Sequence, residues 1–265
     1  SSVLEFKQKE GNRDKLKFRA TVGASDLGLT LDGPMGEKTN FIFSVRRSYL
    51  QFLFSVLELP FLPTYNDYQV KIKHDFDKKN QLSIISVGAL DNSSLNTGIK
   101  DPTDDQQYLL GYLPVNEQWS YAIGAVYKHF GEKGYHTLVL SRNMLNNVAY
   151  KYEDNDESDP DKKLLDFQSQ EIENKLRYEK NTNLSGYKIN YGAGLEYAKY
   201  NIETFQKVFI SNEQQVLDYS SSTDLFKYGL FGQVSKGFVR DRLTLSLGLR
   251  MDGNSYSEEM SNPLE

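Results

Sequence analysis

The sequence predicts an all-β protein, and more narrowly an antiparallel β-sheet that crosses a membrane as the wall of a barrel. Three observations carry this. Apolar and polar residues alternate with a period of two, most completely where Leu243, Leu245, Leu247, Leu249 and Met251 are separated by Thr244, Ser246, Gly248 and Arg250, which gives a strand one apolar and one polar face. The connections alternate short and long along the chain, which sorts them to two rims of a sheet. No run of about 18 apolar residues is present to form a spanning helix, whereas a tilted strand of about 9 to 11 residues crosses a bilayer.

Bulk composition is compatible with this and closes other routes. The 265 residues carry a formal net charge of -5 and a negative mean hydropathy. Strands that alternate lipid-facing and lumen-facing residues average to such a polarity. Eighteen tyrosines and 15 phenylalanines stand against one tryptophan, and tyrosine suits a boundary where the ring is apolar and the hydroxyl wet. Cysteine is absent, so there is no disulfide framework, thiolate metal site or cysteine nucleophile. No basic stripe offers the phosphate neutralisation that a nucleic-acid partner needs. Ser1–Glu10 lacks the basic and apolar regions of a secretory leader: either a leader was removed or the stretch starts inside a longer protein.

Taken in order, Ser1–Glu10 alternates as a short strand and ends at Gly11-Asn12, a turn signal. Leu16, Phe18, Ala20, Val22 and Ala24 share one face against Lys15, Lys17, Arg19 and Thr21; a tight turn at Ser25-Asp26 leads back through Leu27, Leu29 and Leu31. Asp32–Lys38 holds Gly33, Pro34 and Gly36, residues that bend chains or remove a ladder donor. Thr39–Leu50 is the next strand, with Phe41, Phe43 and Val45 alternating with Ile42, Ser44 and Arg46. Further strands are expected at Tyr68–His74, Ile85–Ala89, Trp119–Tyr127, Tyr135–Leu140, Glu171–Tyr178 and Tyr187–Tyr197, and a hairpin at Leu225–Tyr256. Residues 51–64, 91–118, 152–162 and 206–223 read as long connections, and 77–80, 131–134, 181–185 and 237–241 as short ones. Asp161–Lys180 is rich in helix formers, but its apolar positions fall loosely on a helical face and no cap frames them, so a strand is expected. Tyr65, Tyr68, Trp119, Tyr121 and Tyr127 sit near strand ends, as interfacial girdles do.

With strands and turns placed, particular phrases resemble a known family. SSVLEFKQKEGN looks like the last strand of the plug domain of TonB-dependent outer-membrane receptors. LGLTLDGPMGEKTNFIFSVRRSYLQFL resembles their second and third barrel strands as found in the Bacteroidetes, and YGLFGQVSKGFVRDRLTLSLGLRMDGNSY a hairpin from the middle of the barrel. The resemblance implies residues 1–12 as the C-terminal end of a plug and 13–265 as the N-terminal half of the barrel: about eleven strands of the 22 that such receptors have. It further implies the bacterial outer membrane, with short periplasmic turns and long extracellular loops, and import of a scarce nutrient such as an iron chelate, a cofactor or an oligosaccharide. Implied partners are the TonB complex of the inner membrane, outer-membrane lipid and lipopolysaccharide, the cargo, and a surface lipoprotein. No cofactor is implied. The alternatives are a passive outer-membrane pore or surface adhesin on a small complete barrel, and a soluble carbohydrate-binding β protein.

Candidate site residues are few. Arg46 and Arg47 are candidates for an anionic ligand or a plug carboxylate. Tyr108, Tyr112 and Trp119 are candidates for stacking on a sugar ring, set against girdle or loop packing. In the acidic stretch 153–161, Asp154, Asp156 and Asp159, with Ser158, offer oxygens to a hard cation, but the loop lacks the central glycine and distal glutamate of an EF-hand, so a solvated acidic loop is the preferred reading and no metal is assigned. His74, His129 and His136 are isolated in sequence and read as structural. No G-x-S-x-G elbow, phosphate loop or dinucleotide fingerprint is present, and the expectation is that the chain is not an enzyme.

Overall fold

Eleven strands pair in sequence order into one antiparallel sheet in the computed structural model, which describes residues 7–210, 213–240 and 242–257. They are β1 (Lys17–Val22), β2 (Asp26–Pro34), β3 (Thr39–Ser48), β4 (Phe61–Asp75), β5 (Asn80–Leu95), β6 (Val115–Gly131), β7 (Gly134–Tyr152), β8 (Lys163–Leu184), β9 (Tyr187–Ile210), β10 (Glu213–Phe238) and β11 (Leu243–Asn254). Two helices, α1 (Leu50–Val56) and α2 (Asp104–Tyr112), lie in the connections after β3 and β5. The expected all-β antiparallel wall is observed, and Lys163–Leu184 is a strand throughout.

Local chemistry fixes the short turns at one rim. Ser185 and Gly186 both take positive φ, 50° and 81°, the mirror-image two-residue turn whose twist matches the flanking strands. In the β4–β5 turn, Asp77 Oδ1 accepts the backbone N–H groups of Lys79 and Asn80 at 2.7 and 2.9 Å, a side chain standing in for a backbone turn. The 23–25, 49–60, 96–114 and 153–162 connections lie at the opposite rim, by the strand directions.

Register divides the side chains between two faces, because directly paired residues point the same way. On β3 and β4, Phe41, Phe43 and Val45 pair with Ile72, Val70 and Tyr68. That apolar face continues through Ile123, Leu140, Leu176, Leu195, Leu230 and Met251, all exposed. The other face carries Arg46, Asp67, Lys71, Lys73, Lys175, Arg177, Glu196, Lys227 and Arg250. Among the described residues no hydrophobic side chain is buried. The sheet therefore has no core of its own; its ladders satisfy the backbone, and the apolar face is left for a surrounding apolar phase.

Three expectations are corrected, and one strand has its faces placed by register. Residues 51–64 are not one loop: α1 occupies the start, and β4 begins at Phe61, so Pro63 lies within a strand. The ladder with β3 ends at Asn66, so Pro63 is on an edge, where its missing N–H costs nothing. Residues 206–223 are not a long loop either. β9 and β10 stay paired from Ile210 and Glu213 downward, and their polar composition hides the strands because a hairpin solvated on both faces needs no alternation. Ile85, Val87 and Ala89 lie on the polar face, paired with Lys71, Gln69 and Asp67, opposite the small residues Gly124, Ala122 and Ser120 of β6. Finally, of the strand expected at Ser1–Glu10, residues 7–10 join no ladder and 1–6 lie outside the described residues; 258–265 also lie outside them.

Candidate functional site

The polar face is where a ligand or a second domain would be met, and it is built in three parts. In β8–β11, pairing sets Lys175, Glu196 and Lys227 side by side, with Arg177, Gly194, Gly229 and Asp252 in the next row. Lys175 Nζ lies 2.7 Å from Glu173 and 3.5 Å from Glu196, Lys227 lies 2.7 Å from Glu196, and Arg250 lies 2.6 Å from Asp252. The two glycines leave a trough of about 660 Å³ between these charges. Phe231 lines it with the Arg177 guanidinium carbon 5.9 Å from the ring centroid, a cation–π contact. A surface with both signs and one aromatic suits a polar partner of mixed charge.

A second concavity of about 680 Å³ lies over β4–β7 and is lined by Arg46, Tyr65, Asp67, Asp91, Ser120 and Asn143. Arg46 Nε bonds Asp67 Oδ2 at 2.8 Å, and its guanidinium stacks over Tyr65 at 5.2 Å. Tyr65 in turn donates to Asp26 at 3.0 Å. Arg47 is on the opposite face, donating to Asn66 Oδ1 at 3.2 Å. Alternation dictates that only one of two adjacent arginines reaches the polar side.

The third part is segment 7–13, which lies across the polar face of β2–β4 near the short-turn rim. Lys71 donates to the Gln8 carbonyl at 3.1 Å, Lys73 pairs with Glu10 at 2.7 Å, and Arg13 pairs with Asp75 at 2.7 Å. The Asn12 N–H bonds the Asp32 carboxylate. Gly11 is pressed so closely on the Phe41 backbone that a Cβ would collide with it. Beside two lysines and Arg13, the Glu10 carboxyl is held below its usual range, chiefly by the Lys73 hydrogen bond.

At the opposite rim the loops are tied together. Lys151, 7% exposed, directs its ammonium to the carbonyls of Leu110 and Leu113 and to Asn155 Oδ1. It thereby closes the C-terminal end of α2, whose unpaired carbonyls favour a cation. The N-terminal end is held by a reciprocal cap between Thr103 and Gln106. Gln106 also reaches the Glu58 carbonyl at 2.8 Å, and Asn96 the Leu59 carbonyl at 3.0 Å, so the 49–60 and 96–114 connections form one body. Thr103-Asp104-Asp105-Gln106 is a capping-box phrase and was a readable signal for α2; nothing in the sequence around Lys151 announces its role.

The remaining candidates disperse. Tyr108 and Tyr112 stack at 6.0 Å on α2 and are 68% and 70% exposed. Trp119 is on the apolar face, stacked on Tyr121 at 6.2 Å. Asp156 accepts from Ser158 at 2.6 Å and pairs with Lys162 at 2.9 Å; these contacts pull its carboxyl down to about 2. Asp159 caps the Asp161 N–H at 3.0 Å. Asp154 sits at φ 54° in the same loop. Among the described residues no group of His, Cys, Asp or Glu is arranged to hold a metal ion. His129 and His136 face each other across β6 and β7 with ring centroids 6.0 Å apart.

An antiparallel wall with an apolar outer face and a charged inner one invites comparison with known barrels. Residues 45–262 match the family described as TonB dependent receptor-like, beta-barrel. The chain belongs to that family. Among solved structures, the copper transporter OprC superposes with a TM-score of 0.63 at 12% identity, over 94% of this chain and 39% of that one. The ferripyoverdine receptor of the outer membrane of Pseudomonas aeruginosa gives 0.63 at 13%, over 93% and 38%. The outer membrane transporter YddB from Escherichia coli gives 0.60 at 8%, over 87% and 34%. The chain thus spans about two-fifths of these structures. Among curated protein sequences none matches. As a TonB-dependent receptor barrel segment the chain has its place in the bacterial outer membrane, with the apolar face toward lipid and the polar face toward the lumen. The short-turn rim is then periplasmic and the loop rim extracellular.

Proposed function

We propose that the chain is wall and part of the lumen of an active, TonB-driven importer, taking up a scarce nutrient such as an iron chelate, a cofactor or an oligosaccharide. The observation that supports this most is segment 7–13, anchored to the lumenal face by paired charges at Glu10–Lys73 and Arg13–Asp75. A chain that enters the barrel wall from inside the lumen is what a plug at its centre requires, and residues 7–12 are read as the plug's last stretch. The parity of the sheet agrees with it. β1 and β11 run in the same direction, so an antiparallel closure needs an odd number of further strands; eleven more make 22.

In this reading, cargo meets the tied loops at the outer rim, Tyr108 and Tyr112 among them, and then the charged lumen. Uptake requires cargo to bind the closed and open states differently. The partners are the inner-membrane TonB complex, outer-membrane lipid and lipopolysaccharide, and a surface lipoprotein. The test is flux through the receptor in two settings. Uptake in cells that stops on removal of TonB or on collapse of the proton gradient, with no solute leak from liposomes holding the receptor alone, is the expected result. Steady leak from those liposomes makes it a passive pore and overturns the proposal.

A further inference from the structure

We propose that the lipid-facing border of β6–β9 near the periplasmic rim holds the headgroup of a net-anionic phospholipid, with Lys180 as its cation. Pairing places His129, His136, Lys180 and Tyr191 in one row across the four strands, on the apolar face. The next two rows toward the extracellular rim are Tyr127, Leu138, Tyr178 and Ala193, then Ala125, Leu140, Leu176 and Leu195. The row of histidines and lysine therefore marks where the apolar band ends. All four strands are paired on both sides, so this face is not a seam awaiting another strand.

The charge at Lys180 is left open by the protein. Among the described residues no carboxylate or acceptor pairs with its ammonium. Its neighbour Glu179 points through the sheet to the lumen, where it is held by Asn181, Asn190 and Arg177. His136 Nδ1 is engaged by Tyr178 OH at 2.7 Å, and His129 Nδ1 by Asn80 Oδ1 at 2.8 Å. The same Asn80 gives its amide to the Asp77 carboxylate at 2.7 and 2.9 Å, so that acid is committed within its own turn. The turns below this row, 76–79 and 132–133, hold Lys78, Lys79 and Lys133 against Asp77 and Glu132. The patch is thus net positive, and an unpaired lysine facing lipid is tolerated only at the boundary, where its stem lies along apolar surface and its ammonium reaches the headgroups. A phosphodiester without a compensating amine supplies the missing anion; the ring edges of the histidines and the Tyr191 hydroxyl supply polar contacts beside it.

This inference rests on the outward orientation of the face in an outer-membrane wall, which recovery of the receptor in outer-membrane fractions tests separately. The site itself is tested on the complete receptor purified in detergent, by native mass spectrometry with phosphatidylglycerol or phosphatidylcholine of the same acyl chains. The expected result is retention of phosphatidylglycerol about fivefold above phosphatidylcholine, the worth of one interfacial cation. Lys180→Gln removes the preference and Lys180→Arg keeps it. Lys188→Gln, on the lumenal face near the same rim, leaves it unchanged. Equal retention of the two lipids by the unsubstituted receptor overturns the proposal, whether or not Lys180→Gln assembles. Loss of the preference in Lys188→Gln, or displacement of the lipid by millimolar inorganic phosphate, overturns it as well, the latter by showing a site for a free anion.

Discussion

Lys73 of β4 holds Glu10 at 2.7 Å, with the lysine side chain 13% and the glutamate 50% exposed. This contact joins the chain ahead of the first strand to the lumenal wall of the fourth. The glutamate is ionised in the bound state and its pKa is lowered there from a usual 4.5. A lowered carboxyl contributes stability that is fully present above its unfolded value and is lost as pH falls through the folded value. Segment 7–13 is therefore expected to loosen below about pH 4.5 and to be pH-insensitive above it. Because the glutamate is half exposed, solvent screening limits the pair to roughly 0.5 kcal/mol, about a twofold change in opening. Amide exchange over residues 8–13 between pH 7 and 3 measures this. Glu10→Gln is expected to flatten the profile; an unchanged profile assigns the pH response to another group.

Asp156 leads to a second pH expectation. Its carboxyl is pulled down to about 2, first by the Ser158 hydroxyl and then by Lys162. The same sign applies, but the loss falls near pH 2, so the 153–162 loop keeps its exchange pattern from pH 7 to 4. With that carboxylate committed to Ser158 and Lys162, calcium at millimolar concentration is expected to release no heat in a calorimetric titration. A measurable heat that Asp156→Asn removes contradicts this.

Lys151→Met is expected to free α2 from the outer rim. The substitution keeps the stem but leaves the Leu110 and Leu113 carbonyls and Asn155 without their shared donor. Hydrogen bonds to a charged group are worth about 1.5–3 kcal/mol, so opening of the 96–114 connection should rise at least about tenfold. Limited proteolysis reads this as faster cleavage within 96–114, with cleavage within 153–162 rising less. Thr103→Ala, which removes the other cap of the same helix, should act in the same direction with about 1 kcal/mol.

How far the sequence reveals this architecture depends on which side of a strand meets lipid. At Leu243–Met251 and at Glu171–Tyr178, one face meets lipid and the other the lumen, and the alternation names both. At Ile85–Ala89 it names neither, because the lumenal side there carries Ile85 and Val87 beside the small residues of β6 and the lipid side holds Ser86 and Gly88. Above the bilayer the signal vanishes: β9 and β10 run for 24 and 26 residues, far beyond the roughly 9–11 needed to cross, and their solvated ends look like loop. The site was less legible than the fold. The Arg46–Asp67 contact, the row of Lys175, Glu196 and Lys227, and the hold of Lys151 on α2 are all products of register between strands distant in sequence. No single stretch contains them.

Gly88 and Tyr68 illustrate such a cross-strand dependence and yield a further expectation. On the lipid face the Tyr68 ring lies directly over Gly88, occupying the place of a Cβ, while its hydroxyl bonds Ser86 at 3.0 Å. An aromatic covering a strand glycine restores the packing that the glycine lacks. Gly88→Val must displace the ring and break the Ser86 contact, an overpacking cost of about 1–3 kcal/mol. The unfolding midpoint of the detergent-solubilised receptor should fall accordingly. The double variant with Tyr68→Ala should recover part of the loss, since the clash then has no second partner.

The orientation of the sheet makes the last prediction the most direct. Leu140 is 60% exposed on the apolar face of β7, level with Leu176 and Leu195, two rows into the band from His136 and Lys180. Thr137 is on the other face of the same strand, paired with Glu179 and Lys128. An arginine at either position adds one charge to the same strand, but only one of them meets hydrocarbon. Leu140→Arg is expected to lose about 2–4 kcal/mol in lipid, the cost of a guanidinium near the bilayer midplane. Thr137→Arg should change stability by less than about 0.5 kcal/mol, the usual range for a solvated position. Denaturant titration of the receptor in lipid vesicles separates the two. Equal losses at both positions would mean that the wall is solvated on both faces, and a greater loss at Thr137 would turn the sheet inside out.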